Sequence, residues 1–202
     1  MSKDMLGAVV RAAVGVPQDR LNVLAKIASA MAADNPVGEA CHERLGKLLE
    51  EGFASLVSEI GKVNIAGVSS FVAAKKFRLG ETIDGIKVGW LGGNFKKHFL
   101  PKIESKEVMA EELVVNNLLR SSKDPAIITV LGGEEKVETS LGQFWEFLKT
   151  SNQKFWYIAY VRDVEDALWA VGARWGGDGL YVGASSLDDP IEWNADARFL
   201  SR

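Results

Sequence analysis

The stretch that most constrains the fold runs from position 140 to 185, where a helix-spaced apolar stripe gives way to strand-like segments joined by short turns. Ser140 with Gln143 fits a capping box, in which a hydroxyl and an amide satisfy two orphan N–H groups at a helix start. Leu141, Phe144, Trp145 and Leu148 then fall on one helical face. Beyond them, Phe155 to Arg162, Leu168 to Trp175 and Leu180 to Ser185 read as three strands, joined by Asp163 to Asp166 and by the turn Gly176-Gly177-Asp178-Gly179. Connections this short predict an antiparallel meander. Burying a large apolar side chain contributes about 1.5–3 kcal/mol, so the helix is expected to lie on the sheet. In the first strand Phe155, Tyr157 and Val161 alternate with Trp156, Ile158 and Tyr160, so both faces are apolar and both need cover. The basic segment upstream is the expected second cover.

Upstream of this block the pattern is more broken. Val68 to Leu79 is strand-like, and Ile86 to Leu91 follows the Asp84-Gly85 turn as a second strand able to pair with it. Asn94 is a good N-cap for a short helix with Phe95, Phe99 and Leu100 inward, weakened at Pro101. Glu112 to Leu119 reads as a strand, and Asp124-Pro125 opens a short helix that stops at Gly132-Gly133. Ala197 to Ser201 is a closing strand.

The N-terminal third has the helical period. Leu21, Leu24, Ala28 and Met31 share one face after the Pro17–Asp19 start, and Asn35-Pro36 ends the run. Cys41, Leu45, Leu48, Phe53, Leu56 and Ile60 repeat the pattern up to Gly61. The expected fold is therefore α+β. An N-terminal helical hairpin (residues 1–61) precedes an antiparallel-sheet domain with helices packed on the sheet (residues 62–202). A helical pair alone buries little, so residues 19–60 are expected to pack on the rest of the chain or to self-associate, with Leu49, Phe53, Leu56 and Ile60 stepping as a coiled-coil seam would.

Composition narrows the functional classes. With 47% hydrophobic and 25% charged residues the chain is of folded rather than disordered type. Its one cysteine, Cys41, excludes an intrachain disulfide framework. The apolar start at 5–16 is interrupted and too short to cross a bilayer, so no membrane association and cytoplasmic residence are expected. The net charge of −3 hides a segregation: residues 62–106 carry 9 basic and 3 acidic side chains, and residues 107–202 carry 9 and 16. Such asymmetry serves internal pairing, a charged partner or solvation.

Two stretches, Trp90-Leu91-Gly92-Gly93-Asn94-Phe95-Lys96-Lys97-His98-Phe99-Leu100 and the run from Leu168 through Trp175 and Tyr181 to Phe199-Leu200-Ser201-Arg202, resemble segments of uncharacterised hypothetical proteins of uncultured bacteria. The resemblance covers about residues 71–202. It implies a shared domain, and neither an activity nor a cofactor.

No catalytic, cofactor or metal motif emerges. Cys41 and His42 are adjacent, and neighbours on a helix point about 100° apart, so they make a poor pair. Gly92-Gly93 lacks the spacing of a phosphate loop. The leading reading is a non-catalytic accessory or binding protein acting through protein–protein contacts. An alternative makes the basic segment 75–102 a nucleic-acid or anion contact, with Lys75, Lys76, Arg78, Lys87, Lys96, Lys97, His98 and Lys102 set among Phe71, Phe77, Trp90 and Phe95. Tryptophans 156, 169, 175 and 193 can instead line a groove for a sugar or peptide if several prove exposed on one face. A small hydrolase would need Asp163, Glu165, Asp166, Asp178, Asp188 or Asp189 to converge in a cleft.

Overall fold

Residues 56–105, 107–189 and 191–202 are described by the structure, a computed structural model. Their strands are β1 (Val57–Ile65), β2 (Phe71–Val72), β3 (Thr82–Ile83), β4 (Ile86–Leu91), β5 (Ile103–Glu104), β6 (Glu111–Leu118), β7 (Tyr157–Arg162), β8 (Leu168–Gly176), β9 (Gly179–Ser186) and β10 (Arg198–Ser201). The helices are α1 (Ala73–Lys76), α2 (Gly93–His98), α3 (Asp124–Val130), α4 (Glu134–Val137) and α5 (Leu141–Thr150). Eight strands form one sheet in the order β1-β6-β10-β7-β8-β9-β4-β3, and β2 pairs with β5 apart from it.

This architecture overturns the expected fold class in two respects. The sheet is mixed rather than antiparallel. The β7-β8-β9 meander is antiparallel, but β10 runs parallel to β7 and β4 parallel to β9. Hydrophobic alternation sets which face a residue takes and carries no information about the direction of a neighbour distant in sequence. Nor does the second arm of the expected hairpin end as a helix. Val57–Ile60 belong to β1, which continues through Gly61 and pairs with β6 from Val57↔Leu118 to Ile65↔Glu111. Val57, Ile60, Val63 and Ile65 are β-branched, and the backbone ladder to β6 outweighs the helical spacing shared by Leu56 and Ile60. The rest of the hairpin, and with it most of the 19–60 segment expected to self-associate, lies outside the described residues. Helix makes up 21% of the described residues, so the helices are covers on a sheet rather than a layer of their own.

The two faces of the sheet hold two separate cores. On the first, Tyr157, Ala159, Val161, Val171, Val182 and Leu200 meet α5, α1 and α2 through Phe144, Trp145, Phe77, Phe95 and Phe99. Trp145 is fully buried, edge-on to Phe77 at 4.9 Å, with its Nε1 donating to Asp84 Oδ2 at 3.0 Å. The capping box of α5 is present: Gln143 N donates to Ser140 Oγ at 3.0 Å, and Ser140 N donates to Gln143 Oε1 at 2.9 Å. Phe71 to Lys76, expected as part of one strand, gives only the two residues of β2 before Ala73-Ala74-Lys75-Lys76, strong helix formers, turn as α1.

The second face is covered by different elements. Leu118, Ile158, Tyr160 and Phe199 pack against Ile127 and Ile128 of α3, Val137 of α4 and Trp193. The expected second cover was the basic segment. It lies instead on the same face as α5, because Phe77, Phe95 and Phe99 join the Trp145 cluster. No helix among the described residues is long and apolar enough to cross a membrane.

Candidate functional site

The cover on the second face stops short of the β8-β9-β4 end of the sheet. There an open groove of about 630 Å³ is lined by Trp90, Trp156, Arg174, Tyr181, Ser185 and Trp193, with Gly92, Gly172 and Gly183 in its floor. Gly172 and Gly183 are register partners on β8 and β9, and Gly92, just past the end of β4, donates its N–H to Val182 O at 2.8 Å. The three glycines thus make a row across neighbouring strands. A Cβ at Gly172 would stand 2.9 Å from Trp156 Nε1. One at Gly92 would stand 3.1 Å from the Trp90 ring and 3.3 Å from Gly183 Cα. Both indoles therefore come close against bare backbone, the approach that glycine within a sheet permits.

Trp90 reaches this face through a bulge. Alternation from Ile86 and Val88, both in the first core, would send Trp90 inward with them; instead the register to β9 shifts between Val88 and Trp90, so Leu91 turns in and Trp90 turns out. Trp90 is 51% exposed and Trp156 is 39% exposed. Each has an aromatic neighbour: Tyr181 lies 6.3 Å from Trp90, and Trp193 stands edge-on to Trp156 at 5.2 Å. The Arg174 guanidinium sits over Trp156, 5.5 Å from the ring centroid.

The inner wall of the groove is anchored by a buried carboxylate. Asp124 Oδ1 accepts from Trp193 Nε1 at 2.8 Å and from Tyr160 Oη at 2.7 Å, while Oδ2 is buried without a partner among the described residues. Burial holds the Asp124 carboxyl above its usual range, outweighing the two donors that favour its charged form. Burial and the adjacent Asp124 likewise push the Tyr160 phenol far up.

Four of the eight residues singled out in the basic segment make local contacts. Lys76 pairs with Asp84 and Arg78 with Glu81. Lys102 donates to the carbonyl of Arg162 and stands 3.9 Å from Glu104. His98 Nδ1 lies 3.0 Å from Asp163 Oδ2, and its ring rests 4.5 Å from Trp169. Lys75, Lys87, Lys96 and Lys97 are exposed. Of the aromatics set among these cations, Phe71, Phe77 and Phe95 are buried and Trp90 alone is exposed. The N-cap of α2 is Gly92, with no side-chain bond, and Asn94 sits inside the helix with its Nδ2 donating to Ala184 O at 3.2 Å.

Three of the six turn carboxylates are engaged locally. Asp163 Oδ1 accepts from Glu165 N and Ala167 N, at 2.9 and 3.0 Å, Asp189 Oδ2 accepts from Ser186 N, and Asp178 accepts from the Tyr181 hydroxyl. A second, polar cleft of about 380 Å³ holds Lys102, Glu104, Glu138, Arg162, Asp166 and Arg202. Its charges pair internally: Arg162 with Glu134 and Glu138, while Glu104 caps α5 by accepting from Leu141 N and Gly142 N, both at 2.8 Å. Neither cavity brings two of the six turn acids together. Among the described residues no three His, Cys, Asp or Glu side chains are placed to hold a metal ion, and Cys41 and His42 lie outside those residues.

Of the four tryptophans expected to line a groove, Trp156 and Trp193 do so, whereas Trp169 and Trp175 pack on the first core. Trp90 belongs by sequence to the basic segment. The signal that could have placed it here is the recurrence of glycine within otherwise apolar strands at 89, 172 and 183. Comparison with protein-family models, curated proteins and solved structures finds no match.

Proposed function

We propose that the protein is a non-catalytic binding protein whose ligand seat is the groove between Trp90 and Trp156. The observation that carries this reading is the pair of partly exposed indoles set close against a row of glycines. Shielding a large apolar side chain is worth about 1.5–3 kcal/mol, and the chain forgoes part of that at two neighbouring sites. The exposure is built in: a bulge turns Trp90 out, and glycines leave both rings a seat. Rings fixed in advance lose little entropy when a ligand stacks on them, so their burial on binding goes largely into affinity. The groove is also within the ~300–1,000 Å³ span of small-ligand sites.

Nuclear magnetic resonance on the full chain, titrated with a mixed library of ring-shaped fragments, tests the reading. The indole N–H signals of Trp90 and Trp156 should shift together while that of buried Trp145 stays still. Fragments that bind only elsewhere, or a library without a single binder, would remove the groove as a ligand seat.

A further inference from the structure

We infer that the ligand of this groove is a neutral carbohydrate, a short run of pyranose rings stacked on Trp90 and Trp156; the inference rests on the groove being a binding seat. Three features select this class over others that also use aromatic surfaces.

The first is shape. The floor between the two indoles includes backbone at Gly92, Gly172 and Gly183, so no side chain of these three residues stands up between the rings. Peptide recognition draws its energy from anchor side chains sunk into pockets. A pyranose presents a broad face of C–H groups with its hydroxyls around the rim, and such a ring matches an indole laid flat. The polar tip and apolar body of the aromatic side chains suit a ligand with one wet edge and one dry face.

The second feature is the mixture of polar groups at the margin. Asn94 commits its Nδ2 to Ala184 O, which leaves Oδ1 as an acceptor. Ser185 supplies a hydroxyl that both donates and accepts, and Arg174 supplies donors only. Sugar hydroxyls are donors and acceptors at once and need both kinds of partner. A polyproline ligand offers acceptors alone.

The third is charge. The lining has a single charged side chain, Arg174, and that cation already leans on Trp156. The segment that carries Trp193 into the wall holds Asp188, Asp189, Glu192 and Asp196 without one Lys or Arg between 187 and 197. Asp178 sits against Tyr181 at the other side. Binding of single-stranded nucleic acid depends on several cations along the phosphate path, and among the described residues the groove lining supplies one.

The experiment is calorimetric and fluorescence titration of the full chain with neutral oligosaccharides: β-1,4-glucan, α-1,4-glucan, β-1,4-mannan and N-acetylglucosamine oligomers. Parallel arms use an oligoproline peptide and a single-stranded oligonucleotide. At least one oligosaccharide should bind with little dependence on salt. Trp90→Ala and Trp156→Ala should each weaken it tenfold or more while the chain stays folded, and Trp90→Phe should recover part of the loss. Saturable binding of oligoproline or oligonucleotide at the same tryptophans, with no oligosaccharide bound, overturns the carbohydrate and keeps the groove. Ring fragments seated at Trp90 and Trp156 while every oligosaccharide fails has the same meaning. Failure of the fragments and of every ligand in this titration removes both readings.

Discussion

The second face of the sheet is two surfaces side by side. Toward β10 and β6 it is closed: Phe199 and Tyr160 are wholly buried, stacked 6.0 Å apart under α3, α4 and Trp193. Toward β9 and β4 the same face is open, and Trp90 and Trp156 stand close against glycine and remain partly exposed. Both halves are aromatic, so composition does not separate them. What differs is what stands over the rings. The closed half spends its aromatic area on folding, and the open half keeps its area in reserve for something that arrives later.

The comparison breaks first if the two halves respond alike to truncation. Phe199→Ala should lower stability by about 3–5 kcal/mol, the cost of removing a buried aromatic and leaving a cavity. Trp90→Ala should lower it by less than about 1 kcal/mol, since a surface side chain away from caps and networks contributes little. Urea unfolding of the two variants at one pH decides the matter; equal losses would mean that Trp90 is a core residue.

Next in size is the carboxylate that holds the boundary between the halves. Asp124→Ala leaves the Tyr160 hydroxyl and the Trp193 N–H buried without an acceptor, at about 1–3 kcal/mol for each unsatisfied group. It should also loosen Trp193 and hence the wall against Trp156. Asp124→Asn keeps an acceptor at Oδ1 and should recover most of the stability. A difference between the two variants below 1 kcal/mol would show that these hydrogen bonds do not fix the wall.

A smaller effect is expected in the open half from Gly172→Ala. Alanine in a strand normally gains roughly 0.5–1 kcal/mol over glycine, but here the added carbon meets Trp156 Nε1 at 2.9 Å. The Trp156 ring has to shift slightly to admit it, which offsets that gain, so the net stability change should stay below about 1 kcal/mol. The Trp156 indole signal should nevertheless move in a nitrogen–proton correlation spectrum. An unmoved signal would mean that the ring does not lie on the glycine row.

How much of this was legible in the sequence follows from which physics each feature uses. Local signals were readable: the Ser140–Gln143 capping box, the Asp84-Gly85 turn between β3 and β4 with positive φ at both residues, and the three strands past position 155. Features that depend on partners remote in the chain were not. β10 slots between β6 and β7, making one antiparallel and one parallel contact that no local pattern encodes. Val57–Ile65 carries enough helical spacing to mislead until β6 is known to lie beside it. The groove was half visible. Trp156 shares the period-two face of Ile158 and Tyr160, as its position implies, but Trp90 is sent outward by a bulge that a strict alternation cannot show.

The slightest signal to read is a slope rather than a step, and it tests whether the boundary carboxylate is held differently from a turn carboxylate. Asp163 is pushed up by burial, yet the N–H groups of Ala167 and Glu165 and the His98 ring more than offset this and leave it below the usual range. An acid with a lowered folded pKa contributes stability above its unfolded value, about 3.9 for Asp, and that stability is lost as the pH falls through the folded pKa. Asp124 has the opposite sign. With its folded pKa raised, the native state binds more protons than the unfolded chain above about pH 4, so stability declines as the pH climbs to the raised value and then levels off. The two windows do not overlap. Asp163→Asn should flatten the acid limb of a plot of urea midpoint against pH, and Asp124→Asn should flatten the decline on its neutral side. If Asp124→Asn left that decline untouched, the carboxylate would be ionised and solvated in the folded protein. Trp193 would then lack the dry anchor that separates the closed half of the sheet from the open one.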